Sequence, residues 1–172
     1  DLSQEYNERR QQCENAVATI AQDKPEITAL RDVDLQLLEQ FKNKLDLFDY
    51  KRALHVVGEN SRVQQAQGFL SQHDFAQFGQ LLFDSHDSSQ QNFENSCPEL
   101  DALVKIAHQS SLCIGARLSG GGFGGISIHL VRAMDAEQYC TDATEAYARE
   151  TGKQTTAFIC RSAGGASAEF LD

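Results

Sequence analysis

The stretch Leu118-Ser119-Gly120-Gly121-Gly122-Phe123-Gly124-Gly125-Ile126 holds the residue types best suited to chemistry. Five of its nine residues are glycine. Glycine costs backbone entropy on folding, so a run of it needs a reason. It admits positive φ, and without a Cβ it lets a second backbone or a ligand come close. Phosphate is one such ligand, because successive exposed N–H groups form an anion-binding nest. Ser119, at the entrance, can hydrogen-bond a phosphate or the loop itself. The alternative is architectural: a glycine-lined strand connection against which a neighbouring element packs. No Gly-Lys-Ser or Gly-Lys-Thr follows, so this is not a Walker A loop. A strand pattern follows where a helix should, so it is not a dinucleotide fingerprint either.

The elements around the loop can be read from periodicity. Ile114, Ala116 and Leu118 alternate with other residues before the glycines, and Ile126, Ile128 and Leu130 do so after them. That is the two-residue period of half-buried strands. Upstream, Tyr6, Cys13, Ala16, Val17 and Ile20 recur at helical spacing, with Asp1 or Ser3 as a cap and Asp23-Lys24-Pro25 as a stop. Leu35, Leu37, Leu38 and Phe41 form a short helix behind Asp34. Residues 49–70 form the longest one, with Tyr50, Ala53, Val56, Val57, Val63, Ala66 and Leu70 on one face and Glu59, Arg62, Gln64 and Gln65 toward water. Asp74 caps a helix whose stripe is Phe75, Phe78, Leu81 and Leu82. The Ser-, Gln- and Asn-rich run 85–95 reads as a helix end or surface loop. Ser96-Cys97-Pro98-Glu99 reads as a capping box, with Glu99 at the third helical position. Asp135 caps a helix that buries Ala136, Tyr139, Cys140, Ala143 and Tyr147 and stops at Gly152. Thr155–Arg161 is β-rich, Gly164-Gly165-Ala166 is a turn, and Ser167–Leu171 is a last edge strand. Helices first, then strand–strand–helix–strand–strand, predicts an α+β fold. It is a two-layer sandwich with a largely antiparallel sheet of about four strands packed against helices.

The 172 residues, 41% hydrophobic and 23% charged, suit one soluble domain with one sizeable core. A net charge of −10 argues against nucleic acid or an anionic membrane as partner, since phosphate backbones need clustered Lys and Arg. It leaves room for one phosphorylated small molecule. No apolar run is long enough to cross a bilayer, and the polar, acidic first residues give no signal peptide. Five cysteines without CxxC spacing, mostly inside apolar patterns, read as buried free thiols in a reducing cytoplasm. The histidines show no metal-ligand spacing, and Asp84-Ser85-His86-Asp87 reads as the polar face of a helix rather than a metal site.

Four ordered stretches resemble the C-terminal domain of GHMP-superfamily sugar kinases, galactokinases above all. They are Tyr6-Asn7-Glu8-Arg9-Arg10 with Cys13-Glu14, and Ala29-Leu30-Arg31-Asp32-Val33. The others are Ser85-His86 through Ser96-Cys97-Pro98-Glu99-Leu100-Asp101, and Gly115-Ala116-Arg117-Leu118-Ser119-Gly120-Gly121-Gly122-Phe123-Gly124-Gly125. The resemblance implies a ferredoxin-like C-terminal domain over residues 1–172. It implies transfer of the γ-phosphoryl of ATP, with Mg²⁺, to the anomeric hydroxyl of galactose. In that family the site lies between two domains, and the sugar signature, ATP loop and catalytic aspartate sit on the N-terminal one. None of these motifs is present here, so no catalytic or metal-binding residue is expected in this chain. The chain is expected to be inactive without its own N-terminal kinase domain as partner, and to bind neither ATP nor Mg²⁺ alone.

Two features carry over by the resemblance. Tyr6 matches a tyrosine whose hydroxyl contacts the sugar. Gly120, Gly121, Gly122, Phe123 and Gly124, with Ser119 at their entrance, match a loop that lies near the transferred phosphoryl. Arg117 reads as a surface salt-bridge partner. The chain departs from the family at Ser89, Asn92 and Phe93, where a leucine, an acidic residue and a tyrosine are usual. Another hexose or a pentose therefore stays open as substrate, as does a non-catalytic sugar and ATP sensor, or a freestanding binding domain. Loss of the partner domain predicts an exposed apolar patch near Tyr6 and Phe123. A homodimer is a second way to cover it.

Overall fold

The computed structural model describes residues 2–162 and 164–166. Helix α1 (Leu2–Ala21) turns at Asp23–Pro25 into a short 3-10 turn (Leu30–Asp32), then α2 (Leu35–Phe41). The long α3 (Leu47–Ser71) and α4 (Phe75–Ser88) follow, then a π-helical turn (Ser89–Phe93) and α5 (Pro98–Gln109). Strands β1 (Cys113–Ser119) and β2 (Ile126–Val131) pair antiparallel, and α6 (Ala136–Thr151) closes the described elements.

The starts of these helices follow local chemistry. Asp34 accepts from Leu37 N at 2.7 Å and Asp74 from Gln77 N at 3.1 Å, each satisfying a donor left free at a helix start. Asp46 accepts from Phe48 N at 2.8 Å, so α3 begins two residues before the predicted start. Asp135 takes the N-cap position of α6 without a side-chain bond, and Gly152 ends that helix in the left-handed conformation. The capping box predicted at Ser96 does not form. Pro98 takes the first helical position, where its missing N–H costs nothing. Cys97 becomes the N-cap, Glu99 falls on the second position, and Ser96 Oγ donates to Asp101 instead.

Two apolar clusters hold the chain together. Ala16 and Ile20 of α1 meet Leu38, Phe41, Ala53 and Val57 in one. Phe83, Val104, Ala107, Ala116, Tyr139 and Tyr147 form the other around β1. Each buried Leu, Val or Phe stabilises the fold by roughly 1.5–3 kcal/mol relative to exposure. The elements of the two clusters are joined by buried polar residues: Arg52, His55, Ser85, His86, Ser88, Ser89 and Asn95. The 85–95 run is thus a helix end rather than a surface loop: Ser85, Ser88, Ser89 and Asn95 are buried, while Gln90 and Gln91 stay exposed. Glu59 and Arg62 do not face water either, since both are half-buried and paired. Val63, at 69% exposed, leaves the buried face of α3, and on α4 Phe83 rather than Phe75 enters the core.

The sheet has two strands among the described residues, not about four. The Thr155–Arg161 stretch forms no strand, and Phe158 and Ile159 stand exposed. β-Branched and aromatic residues favour a strand only where a ladder and a packing surface receive them. Here β1 is pressed against α4: a Cβ on Gly79 would fall 2.0 Å from the carbonyl oxygen of Ile114, and one on Gly115 would fall 2.3 Å from that of Gly79. The N–H of Leu118 is taken by His86 of α4 at 3.3 Å rather than by another strand. Ser167–Leu171 and the Asp1 cap lie outside the described residues.

Candidate functional site around the glycine loop

Residues 120–125 connect β1 to β2, with Ser119 opposite Ile126 at the mouth. Tyr6, from the first turns of α1, stands edge-on to Phe123, ring centroids 5.4 Å apart and planes at 84°. The two features singled out from opposite ends of the sequence therefore meet. A Cβ on Gly121 would fall 2.0 Å from the Tyr6 hydroxyl, and one on Gly122 would fall 2.0 Å from the carbonyl oxygen of Asn95. At these positions the glycines serve close approach, the architectural side of the expectation. Phe123 itself holds φ 58°, a left-handed backbone that is costly for a non-glycine residue and persists only when its surroundings enforce it. Tyr6 is 43% exposed, and Ile126 and Ile128 stand exposed on β2 just beyond the loop.

The enforcing group is Asn95. Its carbonyl accepts from Phe123 N at 2.6 Å, and its side-chain Nδ2 donates to the Gly121 carbonyl at 3.0 Å. Asn95 is placed in turn by the π-helical turn and by Glu94, which holds φ 56°. Arginines hold this bend. Arg9 Nε donates to Phe93 O at 2.7 Å and Nη2 to Glu94 O at 3.2 Å. Arg52, 1% exposed, donates through Nη2 to Glu94 Oε2 at 2.8 Å, through Nε to Gln12 Oε1 at 2.9 Å, and through Nη1 to Asn92 O. Lys51 Nζ pairs with the other Glu94 oxygen at 2.5 Å. The hydrogen bond from Arg52, then that from Lys51, pulls the Glu94 carboxyl down to about 2 against the opposing effect of burial.

A second anchor fixes the strand that enters the loop. His86 Nδ1 accepts the N–H of Leu118, which leaves the imidazole proton on Nε2, 3.2 Å from Asp101 Oδ1. Burial is the main reason that His86 titrates below its ordinary value, outweighing the pull of Asp101. On the same strand Arg117 pairs with Glu59 at 3.3 Å, and Glu59 also accepts from Ser85 at 2.8 Å. Burial raises the Glu59 carboxyl, but hydrogen bonds from Arg62 and Ser85 outweigh it and the net direction is down. Arg117 is thus a salt-bridge partner, half-buried rather than on the open surface.

The positions that depart from the family pattern point into the protein. Ser89 is 1% exposed, Phe93 stacks on His55 with centroids 4.7 Å apart, and Asn92 Nδ2 donates to Ser88 Oγ at 3.2 Å. Sequence reasoning missed Asn95, Glu94, Arg52 and His86 as parts of this site. His86, Glu94 and Asn95 all fall in the polar run 85–95, which gave the one hint of a buried network, whereas Arg52 lies far away on α3. Among the described residues no group of three His, Cys, Asp or Glu could hold a metal ion, and no helix is long and apolar enough to cross a membrane. All five cysteines are free thiols, four of them half-buried and Cys160 exposed.

The comparisons with known proteins agree with this geometry. Residues 66–149 match the family described as GHMP kinases C terminal. The chain is 39% identical to a galactokinase of Roseiflexus sp. (strain RS-1) over 160 residues, 93% of this chain and 41% of that protein. It is 37% identical to a galactokinase of Homo sapiens over 164 residues, 95% of this chain and 40% of that protein. The chain thus spans about two fifths of the length of the curated relatives it matches. Its fold superposes on a crystal structure of Lactococcus lactis galactokinase complexed with galactose with a TM-score of 0.81, at 30% identity, over 87% of this chain and 39% of that one. By sequence and by fold, this chain is similar to the C-terminal part of galactokinases, and its residues 66–149 match the family of GHMP kinase C-terminal segments.

Proposed function

We propose that this chain is the C-terminal domain of a sugar kinase that transfers the γ-phosphoryl of ATP to the anomeric hydroxyl of galactose, giving galactose 1-phosphate and ADP, and that it is inactive alone. The observation that carries the reading is the meeting of Tyr6 with the glycine loop. Tyr6 offers a hydroxyl to a sugar, and the loop offers backbone N–H groups to a phosphoryl. Phosphoryl transfer asks the protein mainly for position and for charge stabilisation, and a fixed loop supplies the first. The loop fits a phosphate-bearing partner: a Cβ at Gly120, Gly124 or Gly125 would meet nothing within 4 Å, so its outer rim is open. Among the described residues no cluster of His, Cys, Asp or Glu fits Mg²⁺. The N-terminal kinase domain is the proposed partner at the face bearing Tyr6, Phe123 and Ile126, and the cytoplasm is the proposed setting.

A coupled ATP-consumption assay with a panel of sugars tests this, run on this chain and on the same chain extended through its upstream reading frame. Turnover of galactose by the extended form alone is the expected result. Turnover of another sugar would move the specificity, with Ser89, Asn92 and Phe93 as the first residues to revert. Sugar binding without turnover by either form would make the protein a sensor.

A further inference from the structure

We propose that Asn95 is the positioning residue of the glycine loop. It reaches the loop twice, through its own carbonyl to Phe123 N and through Nδ2 to the Gly121 carbonyl, so the two bonds bracket Gly122. Gly122 lies against it so closely that a Cβ would also fall 2.8 Å from Nδ2. The residue is 6% exposed, and its side-chain Oδ1 is buried without a hydrogen-bond partner. An unpaired buried carbonyl costs stability, and an apolar side chain of the same size would avoid that cost. Such a side chain could not donate to Gly121. The amide is therefore better explained by what it does to the loop than by what it adds to the core.

The wider connections support the assignment. Asn95 follows directly on Glu94, whose carboxylate is held by Arg52 and Lys51 and whose carbonyl is held by Arg9. A rigid support thus passes from α1 and α3 through one side chain to the loop. A loop rich in glycine has many conformations of similar energy. Two bonds from a fixed residue select one of them and leave Phe123 in its left-handed backbone beside Tyr6. That this conformation presents the loop to a transferred phosphoryl rests on the kinase reading; the coupling of Asn95 to the loop does not.

The test is amide hydrogen exchange, followed residue by residue, in Asn95→Ala and in Asn95→Leu, which keeps the branched shape and removes the donor. Val104→Ala, in the core and away from the loop, serves as control. In both Asn95 variants the amide of Phe123, which donates to the Asn95 carbonyl, should exchange about tenfold faster, the effect of losing one ordinary hydrogen bond from Nδ2 to the loop. The amides of Ala116 and Leu118 should follow only the change in global stability, and in the control the loop and strand amides should move together. Unchanged loop exchange, or loop and strand amides accelerating in the same proportion in the Asn95 variants, would overturn the proposal. In the extended kinase, Asn95→Leu should lower kcat while leaving KM for the sugar unchanged. A loosened loop with undiminished kcat would overturn the link to phosphoryl transfer and leave the Asn95–loop coupling standing.

Discussion

The hydroxyl of Tyr6 occupies the space that a side chain at Gly121 would fill, with a would-be Cβ 2.0 Å from the oxygen and 2.7 Å from Cζ. A helix start and a strand connection thus share one volume, and each limits what the other can be. At Gly121 the obstacle is the far end of a side chain, which can swing away. At Gly122 it is the backbone carbonyl of Asn95, and the glycine holds φ 83°. Gly122→Ala should therefore destabilise by roughly 1–3 kcal/mol, lowering Tm by several degrees, and Gly121→Ala by clearly less. Thermal unfolding of the two variants checks the order. Tyr6→Ala combined with Gly121→Ala should recover part of the single-variant loss; strict additivity would show that the two residues do not compete for the same space.

The buried guanidinium of Arg52 should matter more than any surface charge. Removing one partner of a buried ion pair leaves the other uncompensated, at a cost of about 3–5 kcal/mol. Glu94 is 35% exposed, so Arg52→Ala is expected toward the low end of that range. Denaturant unfolding should show a lowered midpoint. Lys42→Ala, which removes an exposed pair with Glu39, should change stability by less than about 1 kcal/mol.

Acid should weaken the fold well before its carboxylates titrate. Burial lowers both His55 and His129 from 6.5 to about 4. The folded-state value lies below the unfolded one, so the unfolded chain takes up protons first as pH falls. The stability these histidines contribute is complete above about pH 6.5 and is lost progressively down to about pH 4. Glu94 acts lower: its contribution is present above its ordinary value of 4.5 and is lost as pH falls through about 2. Urea midpoints measured from pH 7.5 to 4.5 should hold down to about pH 6.5 and decline below it. His55→Gln should flatten part of that decline, and an unaltered slope would remove His55 as its source.

The contact of α4 with β1 leaves no room for a methyl group. Gly79→Ala would place a Cβ 2.0 Å from the Ile114 carbonyl, between a helix and a strand that cannot both retreat. Overpacking of this kind costs about 3 kcal/mol. Gly68→Ala, on α3 with nothing within 4 Å, should be neutral or stabilising. Parallel melting curves give the comparison directly.

The sequence by itself determined the elements whose causes are local. Asp34 and Asp74 announce helix starts because a carboxylate two or three residues ahead of free N–H groups can cap them. Ile114, Ala116 and Leu118 announce a strand because side-chain direction alternates along it. The glycine loop and Tyr6 stood out by composition and by resemblance. Only the tertiary structure decided that these two touch, that Asn95 joins them, and that Arg52 lies inside with Glu94 half-buried against it. Those facts depend on partners far away in the chain, and a polar side chain is buried or exposed according to whether such a partner arrives. The same reason explains the strand predicted at Thr155–Arg161. Its residue types favour extension, but a strand exists only where another backbone offers an edge, and no residue can announce that alone.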